Sequence, residues 1–134
     1  MSTLPSLPLV PAPELEQYWE ATKQGVLLVP HCNGCGQAFW YPRTFCPLCH
    51  STDLSWNPAL GGGTIYSFSV CYRGQGPWAD VGPYVIAYVQ LDEGPLMLTN
   101  VVDGDPEALR IGQSVALVME DAGEYKVPRF RPQP

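Results

Sequence analysis

Cys32-Asn33-Gly34-Cys35 and, after ten intervening residues, Cys46-Pro47-Leu48-Cys49 decide how this chain folds. Each pair has the spacing of a knuckle, a tight turn that aims backbone amides at sulfur. Two facing knuckles put four thiolates at the corners of a tetrahedron, which suits a closed Zn²⁺ site. Gly34 and Gly36 fall where such a turn is expected to need positive φ. Cys32, Cys35, Cys46 and Cys49 are therefore the expected metal ligands. An iron site of the rubredoxin kind uses the same knuckles. His50 stands where that second knuckle would favour Gly, so the pattern favours zinc. A four-thiolate site leaves no open position for water or substrate, so its expected role is structural. Structural zinc contributes roughly 10–16 kcal/mol in finger peptides, more than a ribbon this small gains from its own core.

Working outward toward the C-terminus, Val26 to Pro30 and Ala38 to Tyr41 read as two short ribbon strands. Ser51 to Leu60 reads as a connector with Trp56 packed on the ribbon. Period two begins after Gly61: Tyr66, Phe68, Val70 and Tyr72 fall on one face, Ser67 and Ser69 on the other. Tyr84 to Leu91 follows as a strand apolar on both faces. Asp92-Glu93-Gly94 turns the chain into Leu96 to Val102. Asp105-Pro106 caps one or two helical turns. Ser114 to Glu120 and Tyr125 to Phe130 complete five strands, the last cut by Pro128 as expected at an edge. Three strands, a short helix and two strands is the order of an OB-fold barrel.

Toward the N-terminus, Pro5, Pro8, Pro11 and Pro13 make an extended lead-in. Leu15, Tyr18, Trp19 and Thr22 then recur at helical spacing up to Gly25. A helix of about three turns does not stand alone. Tyr18 and Trp19 must pack on this chain or dock on another subunit. The fold class is thus mainly β. An N-terminal extension and docking helix (1–25) precedes a rubredoxin-like zinc ribbon with connector (26–60) and a five-stranded OB-fold barrel (61–134).

The chain has 134 residues and a net charge of −6. An acidic surface repels phosphate backbones, which argues against a nucleic-acid partner. Lys126, Arg129 and Arg131 form only a small basic cluster, read as a solvated strand end. The first residues lack a charged, unbroken signal segment, and no apolar run approaches membrane-spanning length. Five cysteines, four of them in metal spacing, fit a reducing cytoplasm and not a disulfide framework.

Residues for catalysis are scarce. His31 and His50 are the only histidines and each flanks a ligand cysteine, so no nucleophile–histidine–acid set emerges. Cys71 lies mid-strand and reads as a small packing residue. Gly61-Gly62-Gly63 lacks the Lys and Ser/Thr of a phosphate loop and reads as a flexible lead into the barrel. The loop Arg73-Gly74-Gln75-Gly76-Pro77-Trp78 joins the first two barrel strands, a loop class that OB-folds use for ligands. Arg73, Gly74, Gly76 and Trp78 are the expected contacts to a phosphate-bearing ligand or a partner, against the plainer reading of a long hairpin loop.

The ordered set of motifs is specific. After the knuckles come Gly63-Thr64-Ile65-Tyr66-Ser67-Phe68, Pro83-Tyr84-Val85-Ile86-Ala87, Leu91-Asp92-Glu93-Gly94, Thr99-Asn100-Val101-Val102 and Ile111-Gly112-Gln113-Ser114-Val115. Pro128-Arg129-Phe130-Arg131-Pro132 closes the set. From about Tyr18 to Pro132 the chain resembles the zinc-ribbon plus OB-fold family of acyl-CoA-associated proteins, catalogued as domain of unknown function thirty-five. The resemblance implies a non-catalytic partner of a thiolase-fold enzyme (thiolase, synthase or steroid side-chain aldolase type). Such a subunit holds the assembly together and helps shape its acyl-CoA channel. Two other readings are a single-stranded nucleic-acid module, which needs a basic groove with stacking aromatics, and a rubredoxin-like electron carrier, which needs iron.

Overall fold

The computed structural model describes residues 4–6 and 10–133. A single 3₁₀ turn, Pro13–Leu15, leads into α1 (Glu16–Thr22), and Leu15, Tyr18 and Thr22 point inward. Thr22 fixes the helix from both sides: its hydroxyl donates to the Trp19 carbonyl and accepts from the Lys126 amide.

The ribbon sheet is β1 (Leu28–Cys32) against β2 (Leu54–Pro58), antiparallel, with Pro30 opposite Trp56. This corrects two expectations. The strand begins two residues later than Val26. The segment read as a connector supplies the second strand, while Ala38 makes only an isolated bridge to His31. Both knuckles therefore hang between the two strands as one long excursion, closed at its base by the β1–β2 ladder.

Five strands close the barrel in the order β3-β4-β5-β7-β6: β3 (Gly62–Cys71), β4 (Tyr84–Leu91), β5 (Leu96–Val101), β6 (Ser114–Ala122) and β7 (Tyr125–Pro132). Gly62 and Gly63 belong to β3 and pair with β6 as well as continuing toward β4, so they are not a loose lead-in. Ile65 pairs with Val89 and Ser67 with Tyr88, leaving Tyr66 as an extra residue in a bulge. The bulge resets the alternation. Ile65 faces the core before it, Phe68 and Val70 after it, and Tyr66 and Tyr72 face solvent rather than sharing an inner face. β7 is longer than expected and pairs along its whole length with β6. Its other side meets β5 only at Val101–Phe130, in parallel, so the seam of the barrel lies between β5 and β7. The expected helix between β5 and β6 is one 3₁₀ turn, Pro106–Ala108, capped by the Asp105 carboxylate on the Glu107 amide.

Strict alternation in β4 sends Val85, Ala87, Val89 and Leu91 inward, where they meet Ile65, Met97, Val101, Val115 and Phe130. Apart from Ala87, each such side chain contributes roughly 1.5–3 kcal/mol on burial. Tyr18, Leu27 and Val29 belong to the same cluster, so helix, ribbon base and barrel share one core. A second, smaller core of Cys32, Phe39 and Cys46, with Leu54 packed against it, surrounds the thiols.

Candidate metal centre and adjoining cleft

The two knuckles repeat each other bond for bond. The Gly36 amide donates to the Cys32 carbonyl and the His50 amide to the Cys46 carbonyl, both at 2.9 Å. The Cys32 amide donates to Gln37 O and the Cys46 amide to Ser51 O, both at 2.8 Å. Backbone N–H groups also reach sulfur: Cys35 N to Cys32 Sγ at 3.4 Å and Leu48 N to Cys46 Sγ at 3.3 Å. Each turn ends on a residue with positive φ, Gly36 at 78° and His50 at 67°. His50 thus takes the conformation its glycine counterpart takes freely. Gly34 does not need positive φ, contrary to expectation; it packs against Ser51 across the two knuckles.

Amides aimed at sulfur favour the charged form. The Cys35 N–H, foremost, brings the Cys32 thiol down to about 7. At Cys46 burial opposes the charge, and the amides of Cys49 and Leu48 outweigh it, so that thiol also falls. At Cys35 the Gln37 amide pulls down, but burial and the neighbouring sulfurs push the thiol up to about 12. The first cysteine of each knuckle is the readier thiolate, and a dication is what the other two need to follow.

The donor set fits zinc. A tetrahedron with Zn–S of 2.3 Å has edges of about 3.8 Å. Here Cys32 Sγ lies 3.5 Å from Cys49 Sγ, Cys35 Sγ lies 3.8 Å from Cys46 Sγ, and all four sulfurs fall within 4.8 Å of one another. Cys32 and Cys46 are buried, while Cys35 and Cys49 reach the surface. Neither His31 nor His50 joins this cluster among the described residues.

A cleft of about 660 Å³ opens on the barrel between the β3–β4 loop and β5. Arg73, Gly74 and Trp78 line it and Gly76 does not. Trp78 is half-buried, its ring 4.6 Å from that of Tyr84. A Cβ at Gly74 would collide with the backbone and Cβ of Trp78, so glycine lets the loop fold back on itself there. The strand residues that complete it were not anticipated: Tyr84 beside Trp78, and Ile86, Leu98, Thr99 and Asn100.

One expectation about a polar residue changes, and for Tyr18 the first of two open alternatives holds. Arg129 is not part of a solvated basic end. It is buried on the outside of β7, 2.6 Å from the Glu120 carboxylate, and donates to the carbonyls of Leu4 and Pro5. Tyr18 is 2% exposed and packs edge-on to Trp19 and near Trp40, inside its own chain. Its hydroxyl is held protonated well above the ordinary tyrosine range, by burial first and Tyr41 second. Only Trp19 of the pair keeps an accessible edge, with Tyr125 beside it.

A ribbon with four convergent thiols, fused through a common core to a small barrel, defines a zinc-ribbon/OB-fold protein. Comparison with known proteins agrees module by module. The family model for the ChsH2 rubredoxin-like zinc ribbon domain matches residues 19–55, and that for the ChsH2 C-terminal OB-fold domain matches residues 56–120. A DUF35 domain-containing scaffold protein of Methanothermobacter thermautotrophicus is 35% identical, covering 69% of this chain and 71% of its own length. The chain belongs to the DUF35 family. A probable enoyl-CoA hydratase alpha subunit of Thermomonospora curvata is 36% identical over 86% of this chain, but the chain spans only 36% of that protein. The benzoylsuccinyl-CoA thiolase subunit BbsA of Geobacter metallireducens is 33% identical over 66% of this chain and 58% of its own length. Among solved structures, a chain of the Ltp2-ChsH2(DUF35) aldolase superposes with a TM-score of 0.81 at 33% identity. That match covers 92% of this chain and 98% of the other. Among the described residues no helix is long and apolar enough to cross a membrane.

Proposed function

We propose that this chain is a non-catalytic scaffold subunit of a cytoplasmic, thiolase-fold, acyl-CoA-processing assembly. The observation that carries the reading is its near full-length likeness to the ChsH2(DUF35) chain of an aldolase named as a pair with Ltp2. The names of two further relatives, an enoyl-CoA hydratase subunit and a benzoylsuccinyl-CoA thiolase subunit, share acyl-CoA chemistry. The metal site supports a structural role, since four thiolates saturate zinc. In this reading the Arg73–Trp78 cleft lies at the shared interface. Arg73 meets phosphate or the polar pantetheine arm, and the Trp78–Tyr84 wall meets its apolar stretches. Neither nucleic acid nor membrane is a partner.

The test is co-expression of the tagged chain with the thiolase-fold proteins of its own genome, followed by gel filtration with light scattering. A stable complex, in which the enzyme's acyl-CoA turnover needs this chain, is the expected result. A chain that stays alone, or that turns over acyl-CoA by itself, overturns the reading.

A further inference from the structure

The outer face of β4 and β5 breaks the rule that the solvent side of a half-buried sheet is polar. Tyr88 stands directly opposite Leu98, and Ile86 one pair further along, opposite Asn100. Their exposures are 45% for Tyr88, 57% for Leu98 and 37% for Ile86. On the β3 side their neighbours are Ser67 and Ser69, too small to cover them. Contiguous apolar surface of this kind marks an interaction site.

Two clefts meet on this patch. The Arg73–Trp78 cleft reaches Leu98, Thr99 and Asn100 from one side. A second, of about 670 Å³, reaches the same three residues from the side of Trp40, Tyr41 and Arg43. The second cleft follows the edge of β5 that meets β7 only at Val101, so the barrel seam opens onto it. The charge pattern is one-sided. The chain carries 13 Asp and Glu against 7 Lys and Arg, yet among the described residues no carboxylate lines either cleft, while Arg73 lines the first and Arg43 and the Glu120-paired Arg129 line the second.

From this we infer that the Ile86–Tyr88–Leu98 face, bracketed by Arg43 and Arg73, is the seat of the thiolase-fold subunit. The fitting partner surface is an apolar ridge rimmed by carboxylates. This rests on the function proposed above and assigns its contact surface. The zinc knuckles, with exposed Leu48 at the tip of the second, are not the seat. Docking here roofs both clefts, so the acyl-CoA cleft becomes enclosed only in the complex. Anchoring falls on Tyr88 and Leu98 at the centre, the arginines acting mainly on association rate and salt dependence.

The experiment measures binding of the thiolase-fold subunit recovered with the wild-type chain. The variants are Leu98→Asp, Tyr88→Ala and Arg43→Glu, with Leu48→Asp as the knuckle control. Zinc content and melting temperature are checked for each. The expected result is at least a 100-fold loss for Leu98→Asp, at least 10-fold for Tyr88→Ala, and less than 3-fold for Leu48→Asp. Arg43→Glu should weaken binding more at low salt than at high salt. Wild-type affinity in folded Leu98→Asp and Tyr88→Ala leaves the scaffold reading standing and overturns this face. So does loss confined to Leu48→Asp. A wild-type chain that pairs with itself through Leu98 identifies a second copy as the occupant and likewise overturns it. A wild-type chain that binds no such subunit overturns both readings together.

Discussion

The ribbon and the barrel solve the same stability problem by different means. The barrel closes its sheet around Val85, Val89, Val115 and Phe130, and hydrophobic burial holds it. Among the described residues the apolar cluster at the knuckles adds just Phe39 and Leu54 to the cysteines, too little apolar area to hold two turns in place. There the order comes from paired backbone bonds aimed at four sulfurs, and it needs a cation to finish it. The difference teaches where each half is vulnerable: the barrel to lost volume, the knuckles to lost charge.

The sharpest way to break that contrast is Cys46→Ser, or stripping the metal with a strong chelator. The knuckle amides from 33 to 51 should lose hydrogen-exchange protection, a change set against roughly 10–16 kcal/mol of metal binding. Protection in β4 and β6 should persist. One concerted melt of both regions would show that the shared contacts through Leu27 and Val29 bind them into a single cooperative unit. Next in size is Phe130→Ala, which empties the barrel centre at a cost of about 3–5 kcal/mol. Denaturant melts should show it while zinc content stays at one per chain.

A smaller effect sits at the junction. Tyr18 keeps its proton in the folded state above the ordinary value of about 10, and the unfolded chain does not. The unfolded state then binds fewer protons, so stability is fully present below pH 10 and declines as pH rises beyond it, by up to about 1.4 kcal/mol per pH unit. Tyr18→Phe should flatten that alkaline limb in melts recorded between pH 9 and 11. The smallest expected change is a gain. His50→Gly removes the cost of a side chain at positive φ, about 1 kcal/mol, and should slow zinc loss to a chelator. No change there would mean that the Phe45 ring beside His50 offsets the backbone cost.

The sequence made the cysteine pairs, the Asp92–Gly94 turn and the existence of β4 readable, because each depends on neighbours within a few residues. Leu54–Pro58 was not readable as a strand. Its partner, β1, lies more than twenty residues earlier, and the knuckles between them set the register. Tyr66 looked like a core residue because period two carries no sign of a bulge, which is a property of the pairing with β4. Arg129 looked like surface charge, since neither Glu120 across the ladder nor the carbonyls of Leu4 and Pro5 are near it in sequence. In the cleft, the loop side with Arg73 and Trp78 was legible from its glycines. The strand side was not, because apolar residues on both faces of β4 read equally well as a strand buried on both sides.

The core common to Tyr18, Leu27, Val29 and the barrel strands has a mechanical consequence. The metal-bearing tip cannot swivel against the barrel like a bead on a string. The molecule is a bracket, and whatever rests on its flat side is presented at a fixed angle to whatever meets its tip.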